Sequence, residues 1–385
     1  MKKFILSILI SIMTLSINTS AFAALSSRNG VDLAKKRAQE EKQEEERILT
    51  YEKALNLALE NNSSIKSLED NLEVMRDNKS RSIDSMGGMI GLSTSISAQY
   101  NEAISNIFGA VKQIDISLRD SKYSKEILEK STEMLVKSNF ISIIQNENTI
   151  ALAEKNLELA QKELNNNTIK YNMGMISKND YESLKTSVES RKSEIATLKV
   201  NKETNYNNLN KLLGYSADKR YEIEYNIDLD PIDITEQTLD TYINQKLDSD
   251  PSIKVAFGNV EYARYVKSVP GAAGSTNLER ETNLTTAERS YKDTCRNMEL
   301  SIRNAYSQID ALQKSMVTTS LAIEDAKRVL ESAKVNYDIG NIPLIDLQKA
   351  EMAVDNAENS LLNLQYNYDM LKFTFEYPFL LSSGS

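Results

Sequence analysis

The chain has 385 residues, 26% charged and 41% hydrophobic, with 46 Lys and Arg against 55 Asp and Glu and a formal net charge of -9. Histidine and tryptophan are absent and Cys295 is the single cysteine, which removes most zinc sites, the Ser-His and Cys-His nucleophile pairs and any intrachain disulfide. The acidic balance disfavours nucleic acid and anionic lipid surfaces as partners, and with no Gly-rich phosphate loop or recognisable nucleophile motif the chain reads as non-enzymatic and without a cofactor.

The N-terminus carries Lys2 and Lys3, an apolar run from Phe4 to Leu15, and Ala21-Phe22-Ala23. That is the three-part layout of a secretory signal, predicting a signal peptide over 1–23 and a mature chain from Ala24. The run is shorter than the roughly 20 residues that span a bilayer, so a retained anchor is the weaker alternative. No cysteine follows the cleavage site to carry a lipid anchor. Without Lys2 and Lys3 the balance is 44 basic against 55 acidic side chains, a net -11. Beyond Ala23 no stretch of 18 apolar residues exists, so any membrane crossing needs a β-barrel or a partner. Residues 24–47 form an arm whose later part, Lys35 to Arg47, is almost wholly charged. It reads as a solvated helix or a mobile segment.

Only five prolines and 12 glycines interrupt the chain, so long helices are expected over most of its length. The sequence repeats itself. Tyr171, Gly174, Ile176 and Asp180 recur as Tyr337, Gly340, Ile342 and Asp346, and the same offset of 166 maps Phe140 onto Tyr306 and Leu164 onto Leu330. Upstream of the two glycines, Ile150, Leu157, Leu164 and Tyr171 are spaced by seven with Ala153 and Ala160 between them. The second copy gives Met316, Ile323, Leu330 and Tyr337 with Thr319, Ala326 and Ala333. Both are a/d seams whose small d residues admit a close neighbour, and a seven-residue period supercoils left-handedly. A helix from Leu118 to Tyr171 would be about 80 Å long.

Gly174 and Gly340 are read as helix stops in the left-handed conformation. Restarts follow at once: Ser177 with Asp180 resembles a capping box, and Asn341 followed by Pro343 resembles an N-cap with proline in the first turn. The next helices, about Lys178 to Leu213 and Leu344 to Phe375, keep the apolar period, so each copy is a helical hairpin. A second similarity, Asn62-Ser63-Ser64-Ile65-Lys66 against Asp250-Pro251-Ser252-Ile253-Lys254, has an offset of 188. The first copy therefore holds about 22 extra residues, placed most simply around Met86 to Phe108; Pro270 to Gly274 is the matching breaker in the second. The expected organisation is a first hairpin repeat at 48–214, an irregular connector at 215–241 with a short strand near Tyr221 to Tyr225, a second repeat at 242–377 and a tail at 378–385.

The doubled hairpin, Leu57-Ala58-Leu59-Glu60-Asn61-Asn62 at its start, the Tyr-x-x-Gly-x-Ile-x-x-x-Asp turn in both halves and Leu212-Leu213-Gly214 closing the first copy resemble the TolC-like outer-membrane efflux family. The resemblance runs from about Ile48 to Tyr377. It implies an all-α fold of long antiparallel coiled-coil hairpins, a homotrimer with a twelve-helix tunnel, and partnership with a membrane-fusion adaptor and an inner-membrane pump. It also implies that the turns at Gly174, Ile176, Gly340 and Ile342 are docking tips, and that Asp180, Asp346 and Tyr337 line a tunnel entrance or gate. Two positions depart from the family pattern: Ile342 stands where a basic network partner is usual, and Lys349 where a further aspartate sits. Asp180 and Asp346 also have a purely structural reading, since a carboxylate in a first helical turn is favoured by the helix dipole.

A transmembrane barrel would need about 9 to 11 alternating residues per strand. One such stretch exists, Ile90 to Tyr100, and its apolar positions from Leu92 to Leu118 fit a helix equally well. The membrane strands are therefore expected to be reduced or absent. Two functions remain open: a transport component of the cell envelope, in the outer membrane or at the cell surface, that passes cargo from a pump; or a coiled-coil scaffold of the envelope without a lumen. The tunnel requires a second lateral packing seam on its helices, the scaffold only one.

Overall fold

A computed structural model describes residues 47–90, 98–268 and 276–381. Along these the chain forms β1 (Ile48–Thr50), α1 (Tyr51–Asn61), α2 (Ser63–Ile90), α3 (Ala98–Asn172), α4 (Lys178–Leu213), β2 (Glu222–Glu224), α5 (Leu239–Ser249), α6 (Pro251–Ser268), α7 (Asn277–Asp338), α8 (Leu344–Glu376) and a 3-10 turn at Pro378–Leu380. The signal segment, the arm up to residue 46 and the Pro270 to Gly274 breaker lie outside the described residues. The fold is all-α, and the two three-residue strands pair in parallel, Leu49 opposite Ile223.

The duplication is visible element by element. An offset of 188 carries α1 onto α5 and the start of α2 onto the start of α6, and an offset of 166 carries the start of α4 onto the start of α8. The first break uses one side-chain device in both copies. Asn62 Oδ1 accepts from the Ser64 and Ile65 amides at 2.9 and 3.2 Å, and Asp250 Oδ1 from the Ser252 and Ile253 amides at 2.8 and 3.4 Å. A side-chain acceptor satisfies the orphan donors of the restarting helix, so the chain bends without losing hydrogen bonds.

The extra length of the first copy lies in its helices. α2 has 28 residues against 18 in α6, and α3 has 75 against 62 in α7. α3 starts at Ala98 rather than near Leu118, so the helical reading prevails over alternation wherever the segment is described, and the helix reaches about 110 Å. α5 starts at Leu239, inside the expected connector, because Leu239 and Ile243 are buried in a core against α7 and α8.

Packing places the long helices side by side. α3 packs on α4, α7 on α8, and α3 on α8, giving the order α4-α3-α8-α7 toward the glycine turns. Toward the opposite end α2 packs on α3, α3 on α6 and α6 on α7. α3 and α7 run through both layers, and α7 lies at an edge of each.

Two apolar cores sit where the layers meet. One joins Val136, Phe140, Ile143, Leu209 and Leu213; the other joins Ile302, Ile309, Phe375 and Phe379. The offset of 166 relates Val136 to Ile302, Ile143 to Ile309, Leu209 to Phe375 and Leu213 to Phe379, so the copies bury equivalent faces. Between the cores, Lys137 Nζ donates to Asp369 Oδ1 at 2.7 Å and the Tyr225 hydroxyl donates to Asp369 Oδ2. Asp369 is 1% exposed. Three segments, α3, the connector and α8, are thus tied at one buried carboxylate.

Candidate functional site

Both hairpin turns close by backbone hydrogen bonds that only a left-handed residue permits. Gly174 has φ 73° and Gly340 φ 79°. The Met175 amide donates to Lys170 O at 2.8 Å and Gly174 to Tyr171 O at 2.9 Å; Asn341 donates to Asn336 O at 2.8 Å and Gly340 to Tyr337 O at 2.9 Å. These are paired six-to-one and five-to-two bonds of the Schellman kind, and they occupy the last carbonyls of α3 and α7.

The restarts differ. Ser177 caps α4 by accepting from the Asp180 amide at 3.1 Å, and its hydroxyl donates to Asp180 Oδ2 at 2.8 Å. In the second turn Asn341 is not the cap. Its amide is committed to the closing bond, and Pro343, extended at φ -74° and ψ 158°, takes the cap position with no side-chain bond before Leu344. The first turn is further held by Tyr171 and Tyr181, whose rings stack at 4.7 Å and 6°. Tyr337, the counterpart of Tyr171, is 38% exposed.

At the tips Met173 and Met175 are 68% exposed and Ile339 is 65% exposed, whereas Ile176 and Ile342 are half-buried. The turn isoleucines tuck under the bend and the flanking residues form its apolar outer surface. Asp180 and Asp346 both lie in first helical turns and are exposed. Their carboxylates stand at different tips, one on α4 and one on α8. The single chain does not gather them into one cluster.

Lys349 does something that sequence reading missed. Its Nζ lies 2.5 Å from Glu163 Oε1 on α3, a contact between hairpins that holds the ammonium pKa above the usual lysine range, chiefly through that hydrogen bond. Further from the tip Lys155 on α3 meets Asp355 on α8 at 2.6 Å with the opposite polarity, and Asp355 likewise raises the Lys155 pKa by hydrogen bonding. The α3/α8 seam is thus ionic near the turns, while the apolar core lies further up. The opposed charges at 163 and 349 were in the sequence, but nothing local indicated that they meet.

The free edge of α7 is the second finding. Ile323, Ala326, Leu330 and Ala333 belong to its inner seam, with Ile323 buried. Val317, Leu321 and Val335 fall on the opposite face by helical spacing, with Glu324 and Arg328 between them, and Ile339 follows at the C-cap; all four apolar residues are more than half exposed. α7 therefore carries, besides its inner seam, exposed apolar side chains on the opposite face that pack on no other helix among the described residues.

Among the described residues no group of three or more Cys, Asp or Glu is placed to hold a metal ion, and no helix is long and apolar enough to cross a membrane.

The comparisons with known proteins agree on this architecture. Residues 275–370 match the family described as outer membrane efflux protein. Among solved structures, the Campylobacter jejuni CmeC outer membrane channel aligns with TM-score 0.65 and 17% identity over 86% of this chain and 85% of that one. The Vibrio cholerae outer membrane protein VceC aligns at 0.59 and 14% over 85% and 95%, and the open-state Neisseria gonorrhoeae MtrE outer membrane channel at 0.51 and 16% over 85% and 88%. No curated protein matches by sequence.

Proposed function

From the fold of the TolC-like outer-membrane channels, together with the outer membrane efflux match over 275–370, we propose that this chain is a protomer of an oligomeric helical efflux conduit of the cell envelope. The observation that carries the reading is the set of exposed apolar residues on the outer face of α7. A hairpin that only had to fold on itself would need one apolar seam; Val317, Leu321 and Val335, followed by Ile339 at the turn, add exposed apolar surface on the other side of an edge helix. A second copy whose α4 edge lies against it would extend the layer, and three copies of four long helices give a twelve-helix wall. The modules of that protomer are the hairpins at 48–214 and 242–377 joined by the 215–241 connector, with an exported chain beginning after residue 23 and its charged arm.

In this reading the turns at Gly174, Ile176, Gly340 and Ile342 are tips on which a membrane-fusion adaptor docks, and an inner-membrane pump delivers cargo to the end of the tunnel that they form. Asp180, Asp346 and Tyr337 sit at that entrance. The protein then belongs to the envelope, in the outer membrane where the host has one and otherwise at the cell surface.

Cross-linking and light scattering of the purified protein test the assembly. Wild type is expected as a trimer, and Leu321→Glu with Val335→Glu as a monomer of unchanged helix content. A wild type that stays strictly monomeric would refute the proposal. The other reading, a scaffold without a lumen, gains from the shortage of strands among the described residues. Single-channel conductance in a planar bilayer separates the two, since only a conduit passes current.

A further inference from the structure

The offset of 166 that relates the two hairpins carries contacts as well as positions. Glu147 of α3 meets Lys202 of α4, Oε1 to Nζ at 3.7 Å, and their counterparts Gln313 of α7 and Tyr368 of α8 meet at 3.4 Å. α3 also has a second neighbour, α8, and the copy of that pairing is α7 with α4. These two helices stand at opposite edges of the layer toward the glycine turns, so only another molecule can supply the copied contact.

Moving the α3/α8 seam by 166 residues gives the content of the missing one. The buried pair of Lys137 and Asp369 becomes Arg303 and Glu203, again opposite in sign. Lys155 with Asp355 becomes Leu321 with Glu189, and Glu163 with Lys349 becomes Val329 with Ser183. Leu321 and Val329, both 59% exposed in the single chain, thus stand at the two heights where α3 meets α8 through ion pairs. Glu158, Lys162, Gln348 and Glu351 line one groove between α3 and α8. Their copies are Glu324, Arg328, Glu182 and Lys185, all exposed. Two acids sharing a groove, Glu158 and Glu351, are replaced by an acid and a base, and Lys162 with Gln348 by Arg328 with Glu182, so both copied pairs are complementary in charge.

We propose that a second copy of this chain docks its α4 on α7 in one register, which sets Arg303 opposite Glu203, Glu324 opposite Lys185 and Arg328 opposite Glu182 of the neighbour and covers Leu321 and Val329. This docking rests on the oligomer proposed above and fixes its register and its residue pairs. The physical reason is the duplication: a backbone that already packs α3 on α8 presents the same spacing of side chains on α7 and α4. Leu321 and Val329 supply apolar area, and the flanking charges select orientation. Within the chain Arg303 meets Asp240 at 2.7 Å and Glu299 at 2.9 Å, and Arg328 meets Asp325 at 2.9 Å. Exposed pairs of this kind cost little to exchange.

Charge reversal and site-directed cross-linking of the full-length chain test the register. Arg303→Glu with Arg328→Glu, and separately Glu203→Arg with Glu182→Arg, should each weaken self-association roughly tenfold or more by light scattering, and all four substitutions together should restore it. Restoration isolates the contact between copies, because Asp240, Glu299 and Asp325 are unchanged in the double and quadruple variants. In a Cys295→Ser background a short bifunctional thiol reagent should join copies that carry Leu321→Cys and Glu189→Cys. It should not join copies that carry Leu321→Cys and Ala196→Cys, one heptad or about 10 Å out of register. Circular dichroism checks each fold, and the cysteine pairs, placed on exposed or outer positions, carry the test if a reversal variant loses helix. An oligomeric wild type whose quadruple variant stays as weak as the doubles, or that cross-links through position 196 and not 189, overturns the register and leaves the oligomer standing. A wild type that is strictly monomeric removes both.

Discussion

Tyr171 and Tyr181 stack face to face across the first hairpin turn at 4.7 Å, whereas the equivalent positions of the second turn hold Tyr337 and Leu347. One hairpin therefore ends in a braced bend, with a ring pair and a Ser177 cap, and the other in a bend held by its backbone bonds and a long 3.5 Å contact from Asn341 Nδ2 to Asn336 Oδ1.

Tyr181→Leu gives the first turn the composition of the second. It should cost about 0.5 to 1.5 kcal/mol beyond lost area, the range for an aromatic pair. Hydrogen exchange of the amides near 170 to 181 should quicken to match 336 to 347. Equal exchange rates before and after the substitution would show that the stack braces nothing.

Gly174→Val and Gly340→Val should each destabilise by at least about 1 to 2 kcal/mol and impair assembly, because a branched side chain is forced to a positive φ. A Cβ at either glycine meets nothing within 4 Å, so the penalty is backbone strain only and Asn should relieve much of it. Gly214 differs: its φ is 70° and a Cβ would lie 2.9 Å from Asn61 Cγ. Asn61 Nδ2 donates to Leu213 O at 2.9 Å, so Gly214→Ala disturbs that bond as well and should cost more than Ala at either tip. Thermal unfolding of the three Ala variants gives the order.

Asp369→Asn should be among the more damaging polar substitutions, about 3 kcal/mol or more, because it leaves the buried Lys137 ammonium without its carboxylate. Tyr225→Phe removes one donor to Asp369 and should cost about 1 kcal/mol. Lys137→Met combined with Asp369→Leu should recover much of the loss. Urea unfolding of the single and double variants measures the coupling, and additive losses would contradict a buried pair.

Stability should be nearly flat from pH 6 to 8 and fall in alkali. No histidine titrates in the neutral range. Burial, the largest cause in each case, raises the hydroxyl pKa of Tyr51, Tyr206, Tyr221, Tyr225 and Tyr242 above the ordinary 10.0. A raised folded-state pKa means the native state holds the proton longer than the unfolded chain. The stabilisation is complete below pH 10 and is lost as pH rises through the folded values. Ellipticity followed from pH 8 to 12 should show unfolding beginning above 10, and Tyr225→Phe should lessen that slope.

What the residue order determined by itself was whatever depends on neighbours within a few turns of helix. The seven-residue spacing of Ile150, Leu157 and Leu164, the stops at Gly174 and Gly340, the cap at Ser177 and the two offsets of 166 and 188 were all legible, because periodicity and turn chemistry are local. The shift of the second cap from Asn341 to Pro343 was not, since both residues are competent and the closing bond to Asn336 decided between them. Tertiary structure alone decided who neighbours whom. A heptad shows that a helix has a seam without naming the helix that fills it, so the order α4-α3-α8-α7 and the exposed apolar residues on the outer face of α7 had to be observed. The same holds for Lys137 with Asp369, 232 residues apart, and for Glu163 with Lys349. Opposite charges are common along this chain, and only the packing of distant helices selects which of them meet.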